Sequence, residues 1–138
     1  MAENLIHVRL VTPEQTLFDQ QVDAVELPAR SGNIEVLYGH APLLSELGAG
    51  MVTLHTGATT ESYSVSWGFV EVLPEQVTIL ANQAQKPETI DKAAAEAQLE
   101  ESHKLWNEAG EDAGKYTEAL RLQAEAEAKL NAAGGAQH

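Results

Sequence analysis

The chain has no cysteine. That excludes a disulfide framework, a thiolate nucleophile and a thiolate metal ligand, and it fits a reducing compartment. Positive charge is scarce: 8 Lys and Arg stand against 21 Asp and Glu, a formal net charge of −13. Phosphate contacts need Lys and Arg, so nucleic acid is disfavoured as a partner. An anionic membrane surface is disfavoured for the same reason. No apolar run approaches the ~18 residues that read as a bilayer span. Direct membrane insertion is therefore not expected, and any link to a membrane goes through another protein. The start, Met1-Ala2-Glu3-Asn4, carries no basic n-region and no long apolar stretch, so neither a secretory signal nor an Arg-rich transit peptide is visible.

Recognisable chemistry is also missing. There is no Gly-rich phosphate loop of the Walker kind, no dinucleotide fingerprint and no G-x-S-x-G elbow. The histidines are His7, His40, His55, His103 and His138, and none pair at ligand spacing. The expectation is no catalytic residue, no metal and no cofactor. Carboxylates are plentiful, but on the helical portion they read as solvated faces or partners of nearby Lys.

What is present begins with period two. Ile6, Val8 and Leu10 alternate with His7 and Arg9. Val52 and Leu54 alternate with Thr53 and His55, and Tyr63, Val65, Trp67 and Phe69 alternate with Ser64, Ser66 and Gly68. Alternation means that each strand buries one face and wets the other. Short strands separated by Pro13-Glu14, Ser31-Gly32-Asn33, Tyr38-Gly39, Gly57 and Pro74-Glu75 predict an antiparallel sandwich or flattened barrel. At Gly68 the alternation changes phase. Either a bulge re-aims the strand, or the strand is buried on both faces.

After Lys86-Pro87 the composition shifts to Ala, Glu, Lys, Gln and Leu. A helix is predicted to about Glu108, with Thr89 as N-cap and Asp91 in its first turn. Ile90, Ala94 and Ala97 form one apolar sector, and Ala95, Leu99, Ser102 and Trp106 a second, which suggests two surfaces to touch. Ala109-Gly110-Glu111-Asp112-Ala113-Gly114 breaks the helix. A second helix is predicted from about Lys115 to Ala132, with a seam of Ala119, Leu122, Ala126, Leu130 and Ala133. Beside that seam runs a charged stripe of Glu118, Arg121, Glu125 and Lys129. Glu100–Lys104 and Glu125–Lys129 read as helix-stabilising pairs. The tail from Gly134 to His138 should fray. The reading is therefore an α+β chain: an N-terminal antiparallel β-sandwich over residues 1–86 and a C-terminal antiparallel α-helical hairpin over 87–138, with Leu99, Trp106, Leu122, Ala126 and Leu130 as the hairpin seam. Trp67 reads as core, and Trp106 as packing between hairpin and sheet.

The most distinctive stretch is Tyr38-Gly39-His40-Ala41-Pro42-Leu43-Leu44. His40 has two readings. Its ring caps a neighbouring carbonyl, or it belongs to a docking surface.

With these residues in place, the chain resembles the epsilon subunit of F-type ATP synthases. The family's pattern of Gly-acid-x-Gly-apolar-apolar-Pro-Gly-His-x-Pro-Leu-Leu is met here by Gly32-Asn33-Ile34-Glu35-Val36-Leu37-Tyr38-Gly39-His40-Ala41-Pro42-Leu43-Leu44. Phe18, Gly68-Phe69-Val70-Glu71-Val72 and Val77-Thr78-Ile79-Leu80-Ala81 also match. The resemblance covers nearly the whole chain. It implies a non-enzymatic central-stalk (rotor) subunit of a proton-translocating synthase, peripheral on the cytoplasmic face of a bacterial plasma membrane or on a thylakoid's stromal face. Its implied partners are the gamma subunit, the c-ring and, with the hairpin extended, the catalytic beta and alpha subunits. The implied partner interface is Asn33, Tyr38, Gly39, His40, Ala41 and Pro42. The hairpin would have two resting places, one of which restrains ATP hydrolysis.

There are departures from the family pattern. Asn33 replaces the usual acid, Glu35 a Gly and Tyr38 a Pro. Some members bind ATP through apolar-Asp-x-x-Arg-Ala, but this chain has Ile90-Asp91-Lys92-Ala93-Ala94-Ala95. The motif Ile90, Asp91, Ala94 is thus degenerate. Lys92 points about 160° away from position 94 at helical periodicity, so ATP binding is expected to be weak or absent. Two other readings compete: an adaptor for another coiled-coil assembly, and a small β-sandwich enzyme using His40.

Overall fold

The computed structural model describes residues 4–134. The expected fraying of the tail beyond Gly134 lies outside the described residues. The strands run in chain order: β1 Ile6–Val11, β2 Thr16–Val22, β3 Ala24–Ala29, β4 Gly32–Leu37, β5 Leu43–Thr56, β6 Thr59–Leu73 and β7 Gln76–Gln85. A 3-10 turn, Pro87–Thr89, leads into α1 (Lys92–Glu108) and α2 (Ala113–Ala133).

The strands hydrogen-bond in the order β2-β1-β7-β6-β5-β3-β4. Ile6, Val8 and Leu10 from one end of that order share a single apolar core with Val25, Leu27 and Val36 from the other. A sheet whose two ends share one core has folded over on itself, which is the sandwich geometry. The neighbours are antiparallel except β1 and β7, which run parallel. That pair cannot be joined by a hairpin, and all the intervening strands form its connection. β3 carries Pro28, which has no N–H to donate, and its register against β5 shifts between Glu26 and Ala29. Gly50 lies beside it, where a Cβ would come within 2.9 Å of the Pro28 ring.

The first half of β6 is buried on both faces, as the second reading expects; the strand is then re-aimed, but not by a bulge. Tyr63, Ser64, Val65 and Ser66 are consecutively buried: Tyr63 and Val65 face the core, and the serines face the other side, where α2 packs on β5 and β6. From Val70 the even positions take over the core side. No extra residue is inserted, since the register to β5 and β7 is the same on either side of Trp67, which itself pairs with neither strand. The flip is made instead by left-handed backbone at Trp67 (φ 61) and Gly68 (φ 133). At Gly68 a Cβ would sit 1.9 Å from the Leu80 carbonyl oxygen, so only glycine fits.

The helices form the expected hairpin, α1 resting on α2 and α2 on the sheet. The α1 cap is Asp91, whose carboxylate accepts from the Ala94 N–H at 3.0 Å. Thr89 instead closes the 3-10 turn, donating its hydroxyl to the Lys86 carbonyl, because Pro87 starts that turn and Ile90 then runs extended. Asp112 caps α2 through Gly114 and Lys115. Only one sector of α1 is packed: Ala95 and Ser102 are buried while Ala94 and Ala97 are exposed. With α2 between it and the sheet, α1 has one principal neighbour rather than two.

Candidate partner interface

The turn after β4 is held by main-chain bonds. Gly39, at φ 90, donates its N–H to the Pro74 carbonyl at 2.6 Å, and His40 donates its N–H to Leu37 at 3.1 Å. The first bond fastens this turn to the β6–β7 turn. The His40 ring bonds through Nδ1 to the Ala41 carbonyl at 2.6 Å. A carbonyl only accepts, so Nδ1 carries the proton. The ring therefore braces its own turn, which is the carbonyl-capping reading. Tyr38, Gly39, Ala41 and Pro42 are exposed beside it.

Asn33 is not part of this cluster. It is the second residue of β4, opposite Pro28, whereas the turn follows the strand's last residue, Leu37. At ~3.3 Å per residue the two ends of such a strand are about 15 Å apart. Asn33 instead lines a groove of about 860 Å³ with Met51, Thr53 and the Leu130–Asn131 end of α2.

Next to the turn lies an apolar area that sequence reasoning did not assign to the site. Leu44 is 73% exposed, Phe69 55% and Leu80 51%. Phe69 pairs directly with Leu80, and Glu46 pairs with Phe69. The next row is Leu44, Glu71, Thr78 and Arg9. Leucine and phenylalanine facing solvent on adjacent strands form a patch rather than scattered singles. Its rim is charged: Arg9 and His7 both reach Asp19, at 3.5 and 2.5 Å, and Arg30 pairs with Glu46. The signal was present in the sequence. Ile79 and Ala81 take the core side, so Leu80 between them must face out.

The hairpin residues are placed as follows. Ala126 is fully buried, while Leu99, Leu122 and Leu130 are partly buried. Trp106 is 45% exposed and sits edge-on to Tyr116 with ring centroids 4.5 Å apart. It closes the turn end of the hairpin and is not inserted between hairpin and sheet, because α1 is the outer helix. Trp67 likewise leaves the core. Its left-handed backbone sends the indole toward α2, where Nε1 donates to Glu125 at 2.5 Å. Glu125 is accordingly not part of a solvated stripe. It is 5% exposed and pairs with Arg121 rather than Lys129. Arg121 also makes a two-pronged bond to Glu118, which holds the Glu118 carboxyl below the usual carboxylate range and raises the guanidinium further.

Asp91 and Ala94 of the degenerate motif meet only as cap and capped N–H. The carboxylate is thus engaged with the helix start, and position 94 offers no cation. Among the described residues no group of three or more His, Asp or Glu could hold a metal ion. No helix among them is long and apolar enough to cross a membrane.

Comparison with known proteins accounts for this architecture. The family model for the ATP synthase delta/epsilon chain β-sandwich domain matches residues 5–87. The ATP synthase epsilon chain of Synechococcus sp. (strain JA-2-3B'a(2-13)) is 42% identical over 100 residues, covering 72% of this chain and 73% of its own length. That of Priestia megaterium is 44% identical over 91 residues, 66% and 68% of the two chains. The epsilon chain of Gloeothece citriformis is 34% identical over 132 residues, 94% of this chain and 96% of its own, so the likeness extends through the hairpin. In fold, a chain from the cryo-EM structure of the Euglena gracilis mitochondrial ATP synthase OSCP/F1/c-ring superposes with a TM-score of 0.81 over 96% of this chain and 83% of that one, at 24% identity. A chain of the Tetrahymena thermophila central stalk and c-ring superposes at 0.53 over 62% and 69%, at 12% identity. With sandwich and hairpin both accounted for by these relatives, the chain belongs to the ATP synthase epsilon-chain family, whose members are non-catalytic accessory subunits.

Proposed function

We propose that this chain is the foot of the central rotor stalk in a proton-translocating F-type ATP synthase, coupling c-ring rotation to the catalytic head through gamma. The observation that carries the reading is the apolar patch of Leu44, Phe69 and Leu80 beside a turn held by main-chain bonds. A torque-bearing contact needs both features. The apolar area gives a grip that survives repeated loading, and the clamped turn resists deformation. The patch fits the gamma shaft, and the turn from Tyr38 to Pro42 fits the c-ring below it. The sandwich (1–86) would carry these static contacts and the hairpin (87–138) the regulation. The subunit would work as a peripheral component at the cytoplasmic face of a bacterial plasma membrane.

The hairpin has a second resting place in this reading, extended along gamma toward the catalytic alpha and beta subunits. Its docked face is largely alanine: Ala119, Ala126, Ala128 and Ala132 are the buried apolar residues of α2. Each buries little area, so docking should be modest, and an element held by a few kcal/mol can be biased by partners.

The test is reconstitution. The chain is co-expressed with cognate gamma, c-ring and catalytic subunits and recovered through a tag on gamma. Intact chain should come down with the assembly, while a Phe69→Ser, Leu80→Ser variant should be depleted on the order of tenfold or more, as loss of aromatic and aliphatic anchors implies. Both positions are solvent-facing, so thermal unfolding of the isolated variant should change little. Recovery of an assembly without this chain would refute the reading, and equal recovery of the variant would move the grip elsewhere.

A further inference from the structure

Glu125 is the one acid that the fold buries among the described residues, and its carboxylate is shared by three elements. Trp67 Nε1, on β6, donates to Oε2 at 2.5 Å. Arg121, on α2 itself, donates to the same oxygen at 2.6 Å. Gln98, on α1, reaches Oε1 at 3.4 Å and the Leu122 carbonyl at 3.0 Å. Sheet, inner helix and outer helix thus meet at one side chain. Trp67 is the only non-glycine residue at positive φ among the described residues. A bulky side chain is seldom found there, and such backbone persists only where its surroundings hold it. The remaining buried contacts of α2 are mainly alanines. A charge-assisted bond in a water-poor interface therefore outweighs any single one of them.

We propose that Trp67, Glu125 and Arg121 form the latch that fixes the hairpin on the sandwich, and that the hairpin departs by breaking it. This rests on the reading of the hairpin as a two-position element. The latch is reversible by construction. On departure Glu125 gains water, Arg121 keeps Glu118 and the β6 ladder keeps its register, so no charge is stranded. In the docked state, removing Trp67 takes one of its donors from the buried Glu125, and removing Glu125 leaves the Trp67 N–H without its acceptor.

The chain has no cysteine, so a single introduced thiol reports opening cleanly. Ala128 is buried on the groove side of α2, facing Ala49 and Met51. In an Ala128→Cys background of the full chain, thiol labelling is measured for Trp67→Phe, Glu125→Ala, the double variant, Glu125→Gln and Glu118→Gln. Trp67→Phe and Glu125→Ala should each speed labelling on the order of tenfold, as bonds to charged groups imply. The double variant should gain much less than the product of the two. Glu125→Gln retains an acceptor for the indole and should fall between, and Glu118→Gln should stay within about twofold. Circular dichroism confirms that each variant is folded. Unchanged labelling in Trp67→Phe and Glu125→Ala, or effects that simply multiply, would overturn the latch while leaving a mobile hairpin intact. Labelling of the parent no faster than hydrogen exchange of the core strands would show that the hairpin has no separate open state. That result removes the two-position reading and the latch with it.

Discussion

The N–H of Gly39 and the carbonyl of Pro74 meet at 2.6 Å, joining two turns far apart in sequence. Gly39 makes this bond from φ 90 with open space where a side chain would stand. Gly39→Ala should therefore cost about 1–2 kcal/mol through backbone conformation alone. Tyr38→Ala removes an exposed ring and should leave stability within about 0.5 kcal/mol. Both should weaken recovery of the c-ring with the chain, the first by loosening the turn and the second by deleting contact. Chemical denaturation and pull-down together separate the two causes.

Gly68 and Gly57 both have positive φ, but they differ in what surrounds them. A Cβ at Gly68 would lie 1.9 Å from a backbone oxygen, while one at Gly57 meets nothing within 4 Å. Gly57→Ala should cost only the ~1–2 kcal/mol of left-handed backbone. Gly68→Ala should be severely destabilising, because the β6–β7 ladder itself must part. Comparable melting temperatures for the two variants would contradict this account of the kink.

Burial, reinforced by the neighbouring Glu61 carboxylate, pushes the Tyr63 hydroxyl up to about 12. That hydroxyl donates to the Leu17 carbonyl at 3.3 Å and to Glu61 at 3.4 Å. In the unfolded chain a tyrosine ionises near pH ~10. The folded state thus holds its proton longer. The resulting stability is complete below the unfolded value and is lost as pH rises through the folded one. Unfolding free energy should decline between about pH 10 and pH 12, and Tyr63→Phe should flatten that slope. Tyrosinate absorbance of the native protein should show one group titrating near the upper end of the window.

Asp91 caps α1, so Asp91→Ala should lower stability by about 1 kcal/mol. The same engagement, with alanine at position 94, leads us to expect no saturable ATP binding at micromolar concentration. Isothermal titration of the isolated chain checks it. Restoring a cation with Ala94→Arg should raise affinity if the missing guanidinium is the cause.

Helix α2 offers Lys115, Arg121 and Lys129 as its cations, and Arg121 is already engaged with Glu118 and Glu125. Little basic charge is left to oppose acidic groups of a catalytic head. Deleting the residues after Pro87 should therefore raise ATP hydrolysis by the assembled complex only modestly. A many-fold rise would show strong restraint and count against this view.

Period two and the Ala-rich, capped segments determined the sandwich and the hairpin, because each strand or helix face declares itself within a few residues of chain. The Gly-His-x-Pro-Leu-Leu stretch marked its turn for the same local reason. What tertiary structure decided were relations between segments distant in sequence. Asn33 and His40 looked like one site, but a whole strand separates them. Trp67 read as core because alternation cannot reveal where the backbone turns left-handed. Glu125 read as a solvated charge because i,i+4 spacing names a helix neighbour and cannot name an indole 58 positions away in sequence. Local pattern is set by backbone geometry, whereas the fate of a polar side chain is set by which surfaces close over it.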